Sequence, residues 1–174
     1  MHYLDEGPKD APVMLLLHGM PTWSYLYRDM IPGLTSAGYR CIAPDHVGFG
    51  KSDKPTDIHW YTIARHTEIL SSLIVDLDLK QMTLVCQDWG GLLGLCHVAQ
   101  HPEKYRGVVA SNTGVPLGRD IGMTDQDPFA VWRQFSQEID PFSASECVAG
   151  RSSPLPSIPA FQLTDEERRA YDAP

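Results

Sequence analysis

The sequence predicts an α/β fold in which helices cover both faces of a mostly parallel sheet. Three observations predict it. Short apolar runs typical of buried strands alternate with segments of helical spacing over the first 114 residues. Each apolar run ends at a polar residue followed by turn-forming residues. Strands joined through helices pair in parallel, because the crossover returns the chain to the same edge of the sheet.

The apolar runs and the helical spacing give the expected elements in chain order. Strands are expected over 13–18, 39–43, 83–87 and 105–111. Helices are expected over 25–37, from about Thr62, and over 92–101. Ser24 is the expected N-cap of the first helix, and Pro32 is expected to kink or split it.

Four polar residues stand where the predicted strands end: His18, Asp45, Asp88 and Asn112. The carboxyl ends of parallel strands lie along one edge of a sheet, and ligands bind at that edge in open α/β folds. We therefore expect these four residues to line the working edge of the protein.

The segment 83–94 carries the strongest functional signal. A strand-like apolar run stops at a polar pair ending in Asp88, two glycines follow, and helical spacing then begins. This is the pattern of a strand–turn–helix elbow with a reactive residue at its tip. Cys86 and Gly90, two positions on either side, are small enough for so tight a turn. The pattern predicts Asp88 as a nucleophile.

An aspartate at this tip indicates a particular reaction. A carboxylate that attacks a saturated carbon leaves an alkyl ester, which water can hydrolyse, whereas a serine would leave an ether. Displacement at an sp³ carbon followed by ester hydrolysis is therefore expected. The alternative is that Asp88 only caps the N-terminus of the following helix.

Composition narrows the function classes. The chain has 174 residues and a net charge of -8, with its basic residues scattered, so a nucleic-acid partner is not expected. The four cysteines form no C-x-x-C pair, which argues against a zinc site or a disulfide framework. No signal peptide and no apolar run of about 20 residues is present in the sequence. We expect a cytoplasmic protein that handles neutral small molecules.

Two other patterns superficially resemble a phosphate loop and a zinc site, but neither is complete. The glycine-rich segment 48–52 lacks the first glycine of a phosphate loop, so a turn is expected there. His97 and His101 stand four residues apart on a predicted helix, but the glutamate of the zinc pattern is missing. No metal is expected.

After residue 114 the sequence changes character, since proline and glycine recur and no clear strand follows up to residue 159. We interpret 1–114 as a core and 115–174 as a partial helical cap (lid). Its predicted elements are a helix from Pro128, capped by Asp127, to about Ile139, a loop over 152–159, and a last helix opened by a capping box at Thr164.

Three stretches together resemble a known family. They are HGMPTWSYLYR at 18–28, APD at 43–45 with GFGKSDKP at 48–55, and QDWGG at 87–91. They resemble the haloalkane dehalogenases of the α/β-hydrolase fold. The match runs over about 1–112 and resumes weakly at 129–132 and 163–174. The resemblance implies an α/β-hydrolase core that converts a haloalkane and water to an alcohol and a halide, with no cofactor.

The resemblance also implies roles for individual residues. Asp88 matches the nucleophile, and Trp89 matches a tryptophan whose indole N–H binds the halide. Trp132 resembles the second halide-binding tryptophan, contributed by the cap, and Phe129 a wall of the pocket. Fixed N–H donors in a dry site stabilise a departing halide as its charge develops. For Trp132 the alternative is a core residue on one helix face.

The backbone amides of Met20 and Trp89 match the oxyanion hole. The Met20 position is commonly Glu or Asn in the family, and methionine cannot donate to a halide, which favours the branch that uses two tryptophans. Asn112 is assigned to the pocket. It stands where some members carry the acidic partner of the catalytic base, but an amide cannot ionise.

The general-base histidine and its acidic partner follow later strands in the family, and none of the seven histidines here stands at such a position. The N-terminus also looks shorter than in family members. We therefore expect a fragment in which Asp88 is alkylated but the ester is not turned over.

Two alternatives stay open. An epoxide hydrolase has the same fold and the same Asp–Trp pair, but it protonates the epoxide with cap tyrosines, and Tyr171 is the only tyrosine beyond Asn112. The second is a non-catalytic relic that binds small apolar ligands. The expected partners are a small apolar halogenated substrate and a halide ion, with no nucleic acid and no membrane. A monomer is favoured, but the sequence does not fix the oligomeric state.

Overall fold

The computed structural model describes residues 1–114, 124–138, 143–149 and 162–173. The chain divides into two compact units, Met1–Val115 and Pro116–Pro174. The first unit holds the whole sheet of the described structure, and the second holds helices.

A five-stranded sheet forms the centre of the first unit. Its strands are β1 (Tyr3–Glu6), β2 (Val13–Leu17), β3 (Arg40–Pro44), β4 (Met82–Gln87) and β5 (Tyr105–Ser111). Their order across the sheet is β1-β3-β2-β4-β5. Strands β2 to β5 pair in parallel, and β1 pairs antiparallel with β3. The predicted α/β fold with a mostly parallel sheet is confirmed, and β1 is an addition that sequence patterns did not indicate.

Helices connect the parallel strands. They are α1 (Met30–Ser36), α2 (Ile63–Asp76) and α3 (Asp88–Gln100), together with 3₁₀ turns at Ser24–Tyr27, Ile58–Trp60 and Pro102–Lys104. Helix α2 begins where Thr62 predicts, because the Thr62 hydroxyl accepts a hydrogen bond from the Arg65 amide at 3.2 Å.

The prediction of a single helix over 25–37 is wrong. It is a 3₁₀ turn followed by α1, and the break falls before Pro32. Pro32 lies in the first turn of α1, where a missing N–H costs no helical hydrogen bond. Ser24 is not an N-cap either, since it is the first residue of the 3₁₀ turn, and its amide donates to the Asp45 carboxylate at 2.8 Å. The cap position before the 3₁₀ turn belongs to Trp23.

Strands β2 and β3 at the centre of the sheet are buried on both faces, as is typical of parallel sheets. Side chains alternate across the strands, so Leu15 and Leu17 of β2 enter one core cluster and Leu16 between them enters the other. The first cluster includes Leu70 and Ile74 of α2. The apolar runs of these two strands are therefore continuous because neither of their faces contacts water.

The second unit contains three described helices, α4 (Pro128–Glu138), α5 (Ala144–Val148) and α6 (Asp165–Asp172). The predicted capping box is confirmed, since Thr164 and Glu167 exchange side-chain and backbone hydrogen bonds at the start of α6. Asp172 of α6 accepts hydrogen bonds from the amide and the hydroxyl of Ser145 on α5, at 2.9 and 2.6 Å. The predicted loop 152–159 and the predicted end of α4 at Ile139 lie outside the described residues.

Within the described segments, no helix has both the length and the apolar character that a membrane span needs.

Candidate active site

The carboxyl ends of β2, β3, β4 and β5 carry the four predicted polar residues in adjacent positions. His18, Asp45, Asp88 and Asn112 each follow directly on the last residue of a strand. Because these strands are parallel neighbours, all four residues lie along one edge of the sheet.

Asp88 stands at a sharp turn between β4 and α3. Its φ is 50°, a left-handed conformation that non-glycine residues seldom adopt. The Asp88 amide donates to the Asn112 carbonyl at 3.1 Å, and the Asp88 carbonyl accepts from the Thr113 hydroxyl at 2.8 Å. The turn is therefore held by the end of the neighbouring strand β5.

Two positions around this turn require glycine, because neighbouring atoms lie where a side chain would begin. A Cβ on Gly90 would collide with the carbonyl groups of Leu17 and His18 at the end of β2. A Cβ on Gly19 would collide with the side chain of Asp88. The turn thus brings Asp88 directly against the loop that follows β2.

One carboxylate oxygen of Asp88 is already held. The Met20 amide donates to Asp88 Oδ1 at 2.8 Å. The side chain is half-buried, and in the described part of the chain it forms no ion pair and no hydrogen bond with a histidine. Trp89, the other predicted oxyanion donor, follows in the first turn of α3, where backbone amides lack helical partners.

His18 and His46 form a buried pair beneath this loop. The His46 amide donates to His18 Nε2 at 2.9 Å, and the His46 ring lies 3.1 Å from the His18 carbonyl through Nε2. Burial lowers the pKa of His18 to about 4 and lowers that of His46 well below its ordinary value. Both rings are neutral near pH 7, and both form hydrogen bonds with the backbone, so we interpret their role as structural.

Asp45 is fully buried and also structural. Its carboxylate accepts from the amides of Ser24 and Lys51, at 2.8 and 3.0 Å, and lies 2.8 Å from His2 Nδ1. Burial alone would raise the pKa of Asp45, but the hydrogen bonds from Lys51, Ser24 and His2 hold that pKa below its ordinary value. Asp45 therefore joins the loop after β2 to the loop after β3.

An apolar pocket of about 340 Å³ opens beside the turn. Met20 and Trp89 line the pocket near Asp88, and its apolar walls come from Phe49, Tyr61, Ile63 and Leu93. His46, Thr62 and His66 supply its polar atoms. Volume and lining are typical of a small-molecule site.

Sequence reasoning identified Met20 and Trp89 but missed the other wall residues. They come from three separate segments, and although Phe49 and Leu93 lie in motifs, nothing in those motifs indicates a place in the pocket. Their apolar character was visible, but their convergence depends on how α2 packs beside α3. Only the tertiary structure supplies that information.

The remaining predicted residues lie elsewhere. Trp132 lies on α4 in the second unit, where its ring packs against Phe135 at 5.8 Å between centroids. The side chain of Phe129 is outside the described residues. Asn112 is exposed and has a φ of 44°; its carbonyl accepts from Asp88, and it is not among the residues that line the pocket.

A second histidine cluster lies away from this edge. His97 is buried on α3, and its Nδ1 lies 2.7 Å from the Tyr105 hydroxyl. The ring of His101 lies 4.8 Å from that of His97. In the segments that the structure describes, no group of three or more potential ligands is arranged to hold a metal ion.

Comparisons with known proteins agree with this geometry. Residues 12–145 match the family described as alpha/beta hydrolase fold. A haloalkane dehalogenase of Psychrobacter cryohalolentis is 54% identical over 143 residues, which are 82% of this chain and 46% of that protein. The haloalkane dehalogenase DpaA of Paraglaciecola agarilytica superposes with a TM-score of 0.81 at 38% identity, over 99% of this chain and 54% of that one.

An epoxide hydrolase of Vigna radiata also superposes, with a TM-score of 0.76 at 26% identity, over 99% of this chain and 63% of that one. The chain spans about half the length of the curated relatives it matches. The family match, the sheet order and the turn at Asp88 lead to one conclusion: the chain belongs to the α/β-hydrolase fold family and is a homologue of its haloalkane dehalogenases.

Proposed function

We propose that this chain carries the nucleophilic half of a dehalogenase reaction. Asp88 attacks the halogen-bearing carbon of a haloalkane and forms an alkyl ester. The observation that carries the proposal is a half-buried carboxylate at a tight turn, held by the Met20 amide and placed beside an apolar pocket. The sequence identity to a protein named haloalkane dehalogenase supports the same chemistry.

The hydrogen bond to Oδ1 assigns different tasks to the two carboxylate oxygens. Because Met20 holds Oδ1, Oδ2 is the atom that attacks the carbon. The new Oδ2–C bond forms as the carbon–halogen bond breaks, and the halide leaves with the electron pair. Oδ1 then becomes the ester carbonyl oxygen, already in contact with the donor that would stabilise an oxyanion.

The departing halide needs hydrogen-bond donors of its own. Trp89 lines the pocket directly after Asp88, and its indole N–H can donate but not accept. We assign halide binding to Trp89, and we keep Trp132 as the proposed second donor. Phe129 keeps its assignment as a pocket residue within this proposal, whereas Asn112, which does not line the pocket, loses that assignment.

Hydrolysis of the ester requires a general base, and four of the seven histidines are held by other hydrogen bonds. His2 pairs with Asp45, His18 and His46 bond each other's backbone, and His97 contacts Tyr105. None of the seven hydrogen-bonds Asp88 in the described structure. We therefore expect the alkyl ester on this chain to persist.

The test is to incubate the chain with 1-bromohexane and weigh the intact protein. One hexyl group per chain is expected, and peptide mapping should locate it on Asp88. Asp88→Asn should show no adduct, whereas Asp10→Asn, which changes an exposed carboxylate on a surface turn, should react like the wild type.

Two outcomes contradict this proposal. An adduct that survives in Asp88→Asn would place the nucleophile elsewhere. Repeated turnover with free hexanol would mean that a base acts within this chain.

Epoxide opening is the rival activity, favoured by the shared fold of the Vigna radiata enzyme. That activity needs an acid that protonates the ring oxygen. Tyr171 is the sole tyrosine after Asn112 in the sequence, and it is only 3% exposed. With 1,2-epoxyhexane in place of the bromide we expect no adduct, and a hydroxyhexyl ester on Asp88 would favour the rival.

A further inference from the structure

The apolar pocket contains one polar side chain without a hydrogen-bond partner. The other two polar residues are occupied, since His46 Nε2 bonds the His18 carbonyl and the Thr62 hydroxyl accepts from Arg65. No hydrogen bond joins either imidazole nitrogen of His66 to any residue in the described part of the chain. Such an unpaired group in an apolar pocket marks the point where a ligand's polar atom is recognised.

Aromatic contacts fix the orientation of the His66 ring. It lies edge-on to Trp60 and His46, with centroids 5.8 and 6.3 Å away, and tilted against Tyr61 at 6.1 Å. Burial lowers the pKa of His66, so the ring is neutral near pH 7. A neutral imidazole offers one donor and one acceptor, and it can bond an oxygen of either kind.

We propose that this pocket holds the tail of the substrate and that His66 hydrogen-bonds an oxygen atom on that tail. The preferred substrates are then haloalkanes with an ether or hydroxyl oxygen along the chain, instead of plain hydrocarbon halides. This inference rests on the proposed function, since it places the halogen-bearing carbon at Asp88 and the tail beyond Met20 and Trp89.

The energetic reason is the cost of an unpaired polar group. A hydrocarbon tail that fills the pocket removes water from His66 and gives it no partner. A tail oxygen restores the hydrogen bond at nearly the same volume. Sites that hydrogen-bond a substrate atom reject analogues lacking it more strongly than apolar sites distinguish methylene groups.

The test compares two bromides of equal length, 1-bromohexane and 1-bromo-3-ethoxypropane, by the rate at which each forms the Asp88 adduct. His66→Leu should lower the ether-to-alkyl rate ratio roughly three- to tenfold, the effect of one hydrogen bond. His66→Gln, which keeps a donor and an acceptor, should retain most of the ratio. Ile63→Ala removes apolar surface from the same pocket and should slow both bromides with the ratio unchanged.

A second measurement is independent of the reaction. Titration with ethyl propyl ether, which has no halogen, should shift the imidazole nitrogen NMR signals of His66 in the unreacted protein. An unchanged rate ratio in a folded His66→Leu, or no shift of the His66 signals at saturating ether, overturns the inference. If neither bromide forms an adduct, the proposed function fails, and the ether titration still decides whether His66 binds oxygen.

Discussion

Two glycines show how position decides the effect of the same substitution. Gly90 lies in α3 against the carbonyls of Leu17 and His18, whereas Gly33 lies in α1 with no atom within 4 Å of the place where a Cβ would stand. Alanine is the better helix former at both sites, by about 1 kcal/mol. At Gly90 that gain is smaller than the cost of pushing strand and helix apart.

We therefore expect opposite results from one change. Gly33→Ala should raise the free energy of unfolding by about 0.5–1 kcal/mol, because it removes backbone freedom from the unfolded chain. Gly90→Ala should lower it by roughly 1–3 kcal/mol, the usual cost of overpacking, and should slow alkylation of Asp88. Urea unfolding at pH 7 measures both. Equal stability of the two variants would contradict the close approach at Gly90.

At the residue scale, the sequence could predict the sharp turn at Asp88 because that turn depends on local backbone. A strand that ends at a polar residue followed by two glycines can hardly form anything but a tight turn. His66 carried no such signal, since a histidine on a helix is usually a packing residue. His66 becomes a candidate binding residue only because the fold places it in the pocket beside α2 and α3.

At the element scale, a largely buried ion pair joins β1 to β3, in addition to the backbone pairing of the two strands. Asp5 of β1 and Arg40 of β3 form two hydrogen bonds of 2.8 Å, and both side chains are largely buried. The hydrogen bond from Arg40 lowers the pKa of Asp5 to about 2. A lowered carboxylate pKa means that ionised Asp5 stabilises the fold at neutral pH.

Replacing this carboxylate should loosen the edge strand. Asp5→Asn at pH 7 is expected to lower the free energy of unfolding by about 2 kcal/mol, as the shift from 3.8 to about 2 indicates. Lys9, which also pairs with Asp5 but is mostly exposed, provides the control. Lys9→Gln should cost about 0.5 kcal/mol or less. Urea midpoints that fall equally in both variants would contradict the assignment to Arg40.

The missed elements have physical causes. Strand β1 contains Asp5 and Glu6, which strands disfavour, so its pairing with β3 overrides local preference. Helix α3 begins at Asp88, four residues before the predicted start. The prediction began too late because Gly90 and Gly91 are poor helix formers, but close packing requires small residues at these two positions. Strand β5, in contrast, has the predicted bounds, since its apolar run ends at a clear turn signal.

At the scale of the whole molecule, the sheet has one apolar edge. Val108 and Val109 of β5 are 43% and 54% exposed on the edge strand of the described sheet. An exposed apolar edge favours pairing with another strand. Unfolding experiments are therefore best made at low protein concentration, where the midpoint reports on the single chain.

Buried histidines make the stability of the whole molecule depend on pH. His18, His46 and His97 are all nearly inaccessible. Burial lowers the pKa of His18 and of His97 to about 4, and it lowers that of His46 well below 6.5. The unfolded chain binds these protons near pH 6.5, so the stabilisation is complete above that pH and is lost as the pH falls toward 4.

Each such histidine costs about 1.4 kcal/mol per pH unit within this window, so three together cost about 4 kcal/mol per unit. A domain with about 5–10 kcal/mol of stability would therefore unfold between about pH 5 and pH 4. Urea midpoints measured from pH 8 to pH 5 should be level at first and then fall steeply.

His97→Gln should reduce the slope of this fall by about a third, because it removes one of the three protons taken up on unfolding. His59→Gln changes a histidine at an exposed site and should leave the slope unchanged. A flat profile down to pH 5 would mean that these rings are charged in the folded protein, and the neutral His18–His46 pair beneath Met20 would have to be abandoned.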